Sequence, residues 1–221
     1  MNVTEALKLR HTGRAFTPEP VDKETLLEIL EAANATPSWA NTQPWEIYLA
    51  AGEPLQRLRA ACLASFNGNQ PPQQDLARPG KWPPQIEERM HELGKKRFES
   101  LGVRREDDEA RRAMSANGIG FFGAPAVVFI CMDRSLSQWS VFDLGMLSQS
   151  IMLAATERGI GSAVAYAFVA YPQLIRAELD VPDEFSVVIG IALGHEDAEH
   201  VQNRFRAPRR PLTEVVRVAG L

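Results

Sequence analysis

The chain has 221 residues, 45% of them hydrophobic and 24% charged, the balance of a globular protein with room for one large domain and a sizeable core. Twenty-four basic against 28 acidic residues leave a net charge of −4, which excludes the broad cationic surface of a nucleic-acid binder. The two cysteines, Cys62 and Cys131, sit in apolar surroundings without CxxC spacing, which excludes a disulfide framework and reads as two small buried hydrophobes.

Taken in chain order, Thr4 is placed to cap a short helix running to about Arg10, with Ala6, Leu7 and Leu9 on its apolar side. Pro18 and Pro20 break the chain. Asp22 caps a second helix, whose Leu26, Leu27, Ile29, Leu30 and Ala33 recur at helical spacing until Pro37. Trp45 to Ala50 reads as a strand, and Pro54 opens a helix through Leu63. From Asn67 to Pro84, prolines, glycines and amides mark an irregular excursion longer than most loops. Charged helical sequence follows from Gln85 to about Met114, with Glu87, Glu88, Asp107, Asp108 and Glu109 as a solvated face.

Ala126 to Met132 is a strand between Pro125 and Asp133. Val141 to Arg158 is a long helix, apolar nearly all round, which implies deep burial and a face for a partner subunit, and Gly159 ends it. Ser162 to Phe168 is extended, Pro172 to Leu179 helical, and Ser186 to Leu193 a strongly apolar strand. Few strands, many helices and no repeating strand–helix unit predict an α+β fold. The expected organisation is one domain over 1–221, with a proline-rich and helical excursion at about 67–114.

Gly118 to Gly123 spells GxGxxG, but it precedes a strand instead of joining a strand to a helix, so it is no dinucleotide fingerprint. His195-Glu-Asp-Ala-Glu-His200 lacks the spacing of a metal site and reads as a surface turn. Ser148, Ser150 and Ser162 stand outside any GxSxG context, so hydrolysis has no support. The first residues carry no cationic run leading into an apolar stretch, and no apolar segment approaches a membrane span, so the expected place is the cytoplasm.

Two segments carry chemistry. In Arg10-His11-Thr12-Gly13-Arg14-Ala15-Phe16, each arginine alone could simply offset a helix dipole. Together with His11 and Thr12, Arg10 could also grip a phosphate, because a guanidinium fork matches phosphate oxygens. Thr36-Pro37-Ser38-Trp39-Ala40-Asn41-Thr42-Gln43-Pro44-Trp45 is a rigid polar loop with donors at Ser38, Asn41 and Gln43 and flat apolar surface at Pro37 and Trp39. Trp45 itself reads as the start of the core strand.

These segments, with Phe121 to Pro125 before a strand, Gly159 to Ser162 after the long helix and Arg209-Arg210-Pro211-Leu212 near the end, resemble the nitroreductase family in order and spacing over nearly the whole chain, most weakly between about 67 and 114. The resemblance implies a central mixed β-sheet flanked by helices, in an interlocked homodimer with FMN in each of two interface clefts. It implies that Arg10, His11, Thr12 and Arg209 hold the FMN phosphate, with Arg206 beside them. Arg14 would face the pyrimidine edge of the ring. Pro37, Ser38 and Trp39 of the other subunit would line the ring, with Asn41 nearby. Ala165, Tyr166 and Ala167 would pass its N5 edge and donate backbone N–H groups, although some members carry Glu-Gly where Tyr166-Ala167 stands.

The activity implied is NADH- or NADPH-driven reduction of nitroaromatic or quinone-like compounds by ping-pong hydride transfer, with the chemistry carried by FMN and no catalytic side chain demanded. Other flavin chemistry on the same fold (a dehalogenase, a flavin-fragmenting lyase, a dehydrogenase) and a non-enzymatic FMN-binding module are the alternatives. No metal, nucleic-acid or membrane partner is expected.

Overall fold

The computed structural model of the chain describes residues 1–104 and 106–220. In chain order these form α1 (Val3–Leu9), α2 (Lys23–Asn34), β1 (Glu46–Ala51), α3 (Gly52–Asn67), α4 (Pro84–Ser100), α5 (Asp108–Ile119), β2 (Ala126–Asp133), α6 (Gln138–Glu157), β3 (Gly161–Ala165), α7 (Pro172–Leu179), β4 (Phe185–Gly194), α8 (Val201–Arg204) and α9 (Leu212–Val215).

The sheet runs β1-β2-β4-β3. Side chains of β2 alternate between two apolar layers. Val127, Phe129 and Cys131 meet Leu55, Leu58 and Cys62 of α3 and Ile175 of α7. Ala126, Val128, Ile130 and Met132 meet Ile29 and Ala33 of α2 and Leu144, Leu147 and Ile151 of α6. A strand buried on both faces needs apolar residues at every position, which is why β2 reads as a continuous run and not as an alternation. Each large side chain buried this way contributes about 1.5–3 kcal/mol. Phe121 adds edge-on ring contacts to Phe129 and Phe168 at centroid distances of 6.0 and 5.5 Å.

Two expectations are corrected. Every pairing of the four strands is antiparallel, where the resemblance implied a mixed sheet. The chain re-enters the sheet in the opposite sense at each neighbour, so a parallel strand would have to come from outside it. The cap of α1 is Asn2, not Thr4. Asn2 Oδ1 accepts from the Glu5 N–H and Glu5 Oε2 accepts from the Asn2 N–H, both at 3.0 Å, a reciprocal box that Thr4 cannot form. Of the apolar side expected for α1, only Ala6 is buried, and Leu7 and Leu9 face outward.

The excursion after α3 is stitched to the sheet. The buried Asp75 carboxylate accepts from the Val187 N–H at 2.7 Å and from the guanidinium groups of Arg134, at 3.1 Å, and Arg176. Burial works to raise the Asp75 carboxyl, and these bonds outweigh it and leave it below the ordinary carboxylate range. The Tyr166 and Tyr171 hydroxyls donate to the carbonyls of Leu76 and Gln70, at 2.8 and 3.0 Å.

The chain exposes 13241 Å², whereas a compact monomer of 24.5 kDa exposes about 10,000 Å². Much of the excess is apolar. Trp139 and Phe142 stack on the outside of α6 with rings 6.3 Å apart, and Leu212, Val215, Val216 and Val218 of the terminal segment are all exposed. No helix among the described residues is long and apolar enough to cross a membrane.

Asp75→Ala takes the nearest carboxylate from half-buried Arg176, leaving it Asp183 at 4.0 Å, and deprives the Val187 N–H of its acceptor. An unsatisfied donor of this kind costs about 1–3 kcal/mol, so the variant should unfold at lower urea concentration and be cut sooner between residues 70 and 80 under limited proteolysis.

Candidate functional site

Where α1 ends, the chain straightens and threads between the start of β3 and the segment after β4. The Gly13 N–H donates to the Ser162 carbonyl at 2.9 Å, Thr17 N–H to His195 at 2.8 Å, and Asp197 N–H to Ala15 at 3.1 Å. Phe16 bridges to Glu196. Gly13 packs tightly, since a Cβ there would stand 2.9 Å from Glu196 Oε1, and one on Gly161 would run into the same side chain. The buried Asn203 fixes the backbone of Arg14 and Ala15. Its Oδ1 accepts both their N–H groups, at 2.7 and 3.2 Å, and its Nδ2 donates to the Ala15 and Asp197 carbonyls, at 2.7 and 2.9 Å.

The expected surface turn at 195–200 is therefore part of the site. Glu196 Oε2 lies 2.7 Å from His11 Nε2, while His11 Nδ1 lies 2.9 Å from the Leu9 carbonyl. Both neighbours are acceptors, an arrangement that favours the ring protonated on both nitrogens. The bond to Glu196 holds the imidazole above its ordinary pKa against the opposing effect of burial. With both nitrogens committed inside the protein, what His11 offers an external anion is charge.

Cations gather around this thread. Burial, and then the charge of Arg209, lower the half-buried Arg10 guanidinium, so charges from opposite ends of the sequence act on one another. Arg206 adds its charge near His11 and donates to the Asn203 carbonyl. Thr12 is half-buried between Arg10 and Arg14, its carbonyl accepting from Arg14 at 3.3 Å. Arg14 is pulled down to about 10 by burial, with Arg97 of α4 adding a like charge. Among the described residues none of Arg10, Arg14, Arg97, Arg206 and Arg209 pairs with a carboxylate. Arg206 and Arg209 are exposed, but Arg10, Arg14 and Arg97 are half-buried, and partly desolvated cations without counter-charge mark a place built for an anion.

The second segment stands elsewhere. Pro37, Trp39 and Asn41 are exposed, and the Ser38 hydroxyl accepts from the Gln43 N–H at 2.8 Å. Ala40, Asn41 and Gln43 have φ of 48, 57 and 44°. Left-handed backbone at non-glycine residues costs about 1–3 kcal/mol each and gathers at functional sites. The Trp39 N–H reaches Asp143 near the start of α6 at 3.3 Å, whereas Arg10 and His11 line a cavity of about 490 Å³ with Thr156 at that helix's other end. Thirteen helical residues at roughly 1.5 Å each set the segments about 20 Å apart within one chain.

Ala165 ends β3 and Tyr166–Val169 form a tight turn. Tyr166 and Ala167 of this turn line a cavity of about 930 Å³ with Gly118, Phe122, Arg78 and Arg97. Asn203 and Arg97 carry no signal in the sequence, and Glu196 reads there only as part of a surface turn. Each acts across the fold on residues far away in the chain, and no local motif announces it.

With this geometry in place, comparison with known proteins is informative. The family model described as the Nitroreductase family matches residues 7–195. The chain is 33% identical to the 4-nitrobenzoate reductase of Pseudomonas putida over 90% of this chain and 88% of that one. The structure is similar to that of the FMN and NADPH-dependent nitroreductase NfnB from sphigopyxis sp. strain HMH, with a TM-score of 0.93, 33% identity and full coverage of both chains. It is also similar to the FMN-dependent nitroreductase NfnB from Mycobacterium smegmatis in complex with NADPH, with a TM-score of 0.92, 28% identity and coverage of 99% of this chain and 100% of that one.

A histidine more readily charged in the folded chain than in the unfolded one stabilises the fold below its unfolded pKa, about 6.5, and this contribution disappears as pH rises through the raised folded value. Glu196→Gln should therefore cost more stability at pH 6 than at pH 9, measured by urea unfolding, and should return the His11 titration seen by NMR toward its ordinary position.

Proposed function

The chain belongs to the nitroreductase family, and on that premise we propose that it is an FMN-dependent NAD(P)H oxidoreductase that reduces nitroaromatic and related electron-poor compounds, working as a homodimer. The observation that carries the reading is that half-buried Arg10 and Arg14 have no carboxylate to neutralise them among the described residues, while the charge of Arg209 from the other end of the chain acts on Arg10.

That donor set fits FMN. The Arg10 and Arg209 guanidinium groups, the Thr12 hydroxyl and the charges of His11 and Arg206 match a phosphate dianion. Arg14, held by Asn203 through its backbone, supplies a fixed cation for the electron-rich pyrimidine edge. Ala165, Tyr166 and Ala167 form the strand end and turn that would border the reactive edge of the ring. FMN bound there would supply the redox chemistry, hydride exchange between NAD(P)H and the electron-poor acceptor.

The protein's share is to bind, orient and tune. Arg10 and Arg209 fix the phosphate end. Arg14 biases the site toward negative charge, because a desolvated cation interacts strongly with charge that develops beside it. Tyr166, tied through its hydroxyl to the Leu76 carbonyl at 2.8 Å, holds the cleft wall rigid. No side chain has to move a proton for hydride transfer.

Pro37, Ser38, Trp39 and Asn41 serve the site of a second subunit. Their distance from Arg10 within the chain, their strained backbone and the exposed Trp39, Trp139 and Phe142 around them support this. The exposed apolar tail after Arg210 supports an exchange of C-terminal segments. Residues 1–221 act as one domain in this reading, with 67–114 as an elaboration of the cleft mouth.

The direct test is the absorbance spectrum of the purified protein. Flavin bands that bleach on anaerobic NADPH addition and recover with a nitroaromatic establish the cofactor and both half-reactions, whereas a colourless protein that takes up no FMN overturns the reading. Loss of a charge-assisted phosphate contact costs about 1.5–3 kcal/mol, so Arg10→Ala and Arg209→Ala should each weaken FMN binding roughly 10- to 100-fold by equilibrium dialysis. Arg14→Ala should instead retain much of the FMN while shifting its reduction potential to more negative values, read by dye-coupled titration.

A further inference from the structure

The cavity beside the Tyr166–Ala167 turn carries an imbalance of charge that FMN binding as described does not use. Phe66, Phe98, Phe122, Tyr166 and Tyr171 are among the residues that line it, aromatic side chains of the kind that accommodate an aromatic ring. Four arginines line it, at 78, 97, 111 and 112, against one carboxylate among the described lining residues, Asp108. That carboxylate is engaged by Arg111 at 3.6 Å. Arg112 is also occupied: it bonds to Asn69 Oδ1 at 3.2 Å and to the Phe66 and Asn67 carbonyls at 3.4 Å, and it lies over the Phe66 ring.

Arg97 and Arg78 are different. Arg97 comes from α4 and is half-buried, and its guanidinium has only a long contact of 3.4 Å to Gln202 Oε1. Burial lowers it, and its charge reaches Arg14. The Arg78 guanidinium lies 4.9 Å from the centre of the Tyr166 ring. Neither pairs with a carboxylate among the described residues. A guanidinium fork held at the edge of an aromatic-walled cleft is matched by a planar carboxylate, which it can bind bidentately.

Building on the oxidoreductase reading above, we propose that Arg97 and Arg78 form an anion subsite in the acceptor cleft, so that the preferred acceptors are electron-poor aromatics bearing a carboxylate. The excursion that carries both residues thereby sets substrate choice, while the Arg10–Arg209 cluster sets cofactor retention. The same guanidinium chemistry would suit the 2′-phosphate of NADPH, and the aromatic walls favour a ring that itself bears the anion.

The test compares kcat/KM for 4-nitrobenzoate with that for its uncharged methyl ester, using FMN-loaded wild type, Arg97→Gln, Arg78→Gln and Arg97→Lys, all shown by flavin spectrum and melting to be folded. The carboxylate-to-ester ratio should fall about tenfold in each glutamine variant, the loss of one partly shielded ion pair worth about 1.4 kcal/mol. The lysine variant should fall between, and added salt should lower the wild-type ratio. A ratio unchanged in both glutamine variants overturns the subsite. A fall in the NADPH-to-NADH ratio with an unchanged carboxylate-to-ester ratio assigns the anion to the cosubstrate and likewise overturns it. A wild type that reduces neither compound refutes the nitroaromatic reading itself, an outcome separable from the other two.

Discussion

Burial of β2 and β4 on both faces is the constraint from which the rest of the architecture follows. With residues such as Val127, Phe129, Val128 and Ile130 fully enclosed, neither face of the sheet can be left to water, so α3 and α7 cover one and α2 and α6 the other. Polar chemistry is thereby excluded from the centre and displaced to the sheet's margin. The margin at β3 is where the segment after α1 and the segment after β4 cross, and their crossing assembles residues from both ends of the chain.

At that crossing the balance of charge inverts. Elsewhere arginines find carboxylates: Arg57 with Glu178, Arg158 with Glu28, Arg176 with Asp75. Around the crossing, Glu196 is spent on His11 and the like charges of Arg10 and Arg209 act on one another. Such an arrangement opposes folding through repulsion and lost hydration. It persists because rigid neutral elements hold it, among them Asn203 across the Arg14–Ala15 backbone and the glycines that make room for Glu196. Stability given up at a cluster of this kind returns when an anion binds to the folded state.

The cleft-shaping excursion follows the same logic. Its proline-rich start cannot form regular structure, so it is held by side chains: Asp75 against the β4 backbone and Arg176, and two tyrosine hydroxyls on its carbonyls. Anchored at one end in this way, it presents α4 and α5 as a half-exposed layer in which no residue of α4 is buried. Their arginines can therefore serve a cavity and need not serve the core.

Local patterns in the sequence carry the elements far into the structure. The apolar runs locate β2 and β4, Asp22 its helix, Pro172 the start of α7, and the glycine after the long helix its end, because each depends on neighbours a few residues away. The two arginine-bearing ends of the chain stand out as candidates in the same way. What only tertiary structure decided is which charges would be left without partners. Glu196 turns from a surface residue into the partner of His11, Asn203 from an unremarked amide into the brace of Arg14, and Arg97 from one cation on a solvated helix into a cavity wall. Hydrogen bonds and charge pairs join residues by proximity in space, and proximity across the fold is set by how the two apolar faces of the sheet are covered, which no local stretch of sequence encodes.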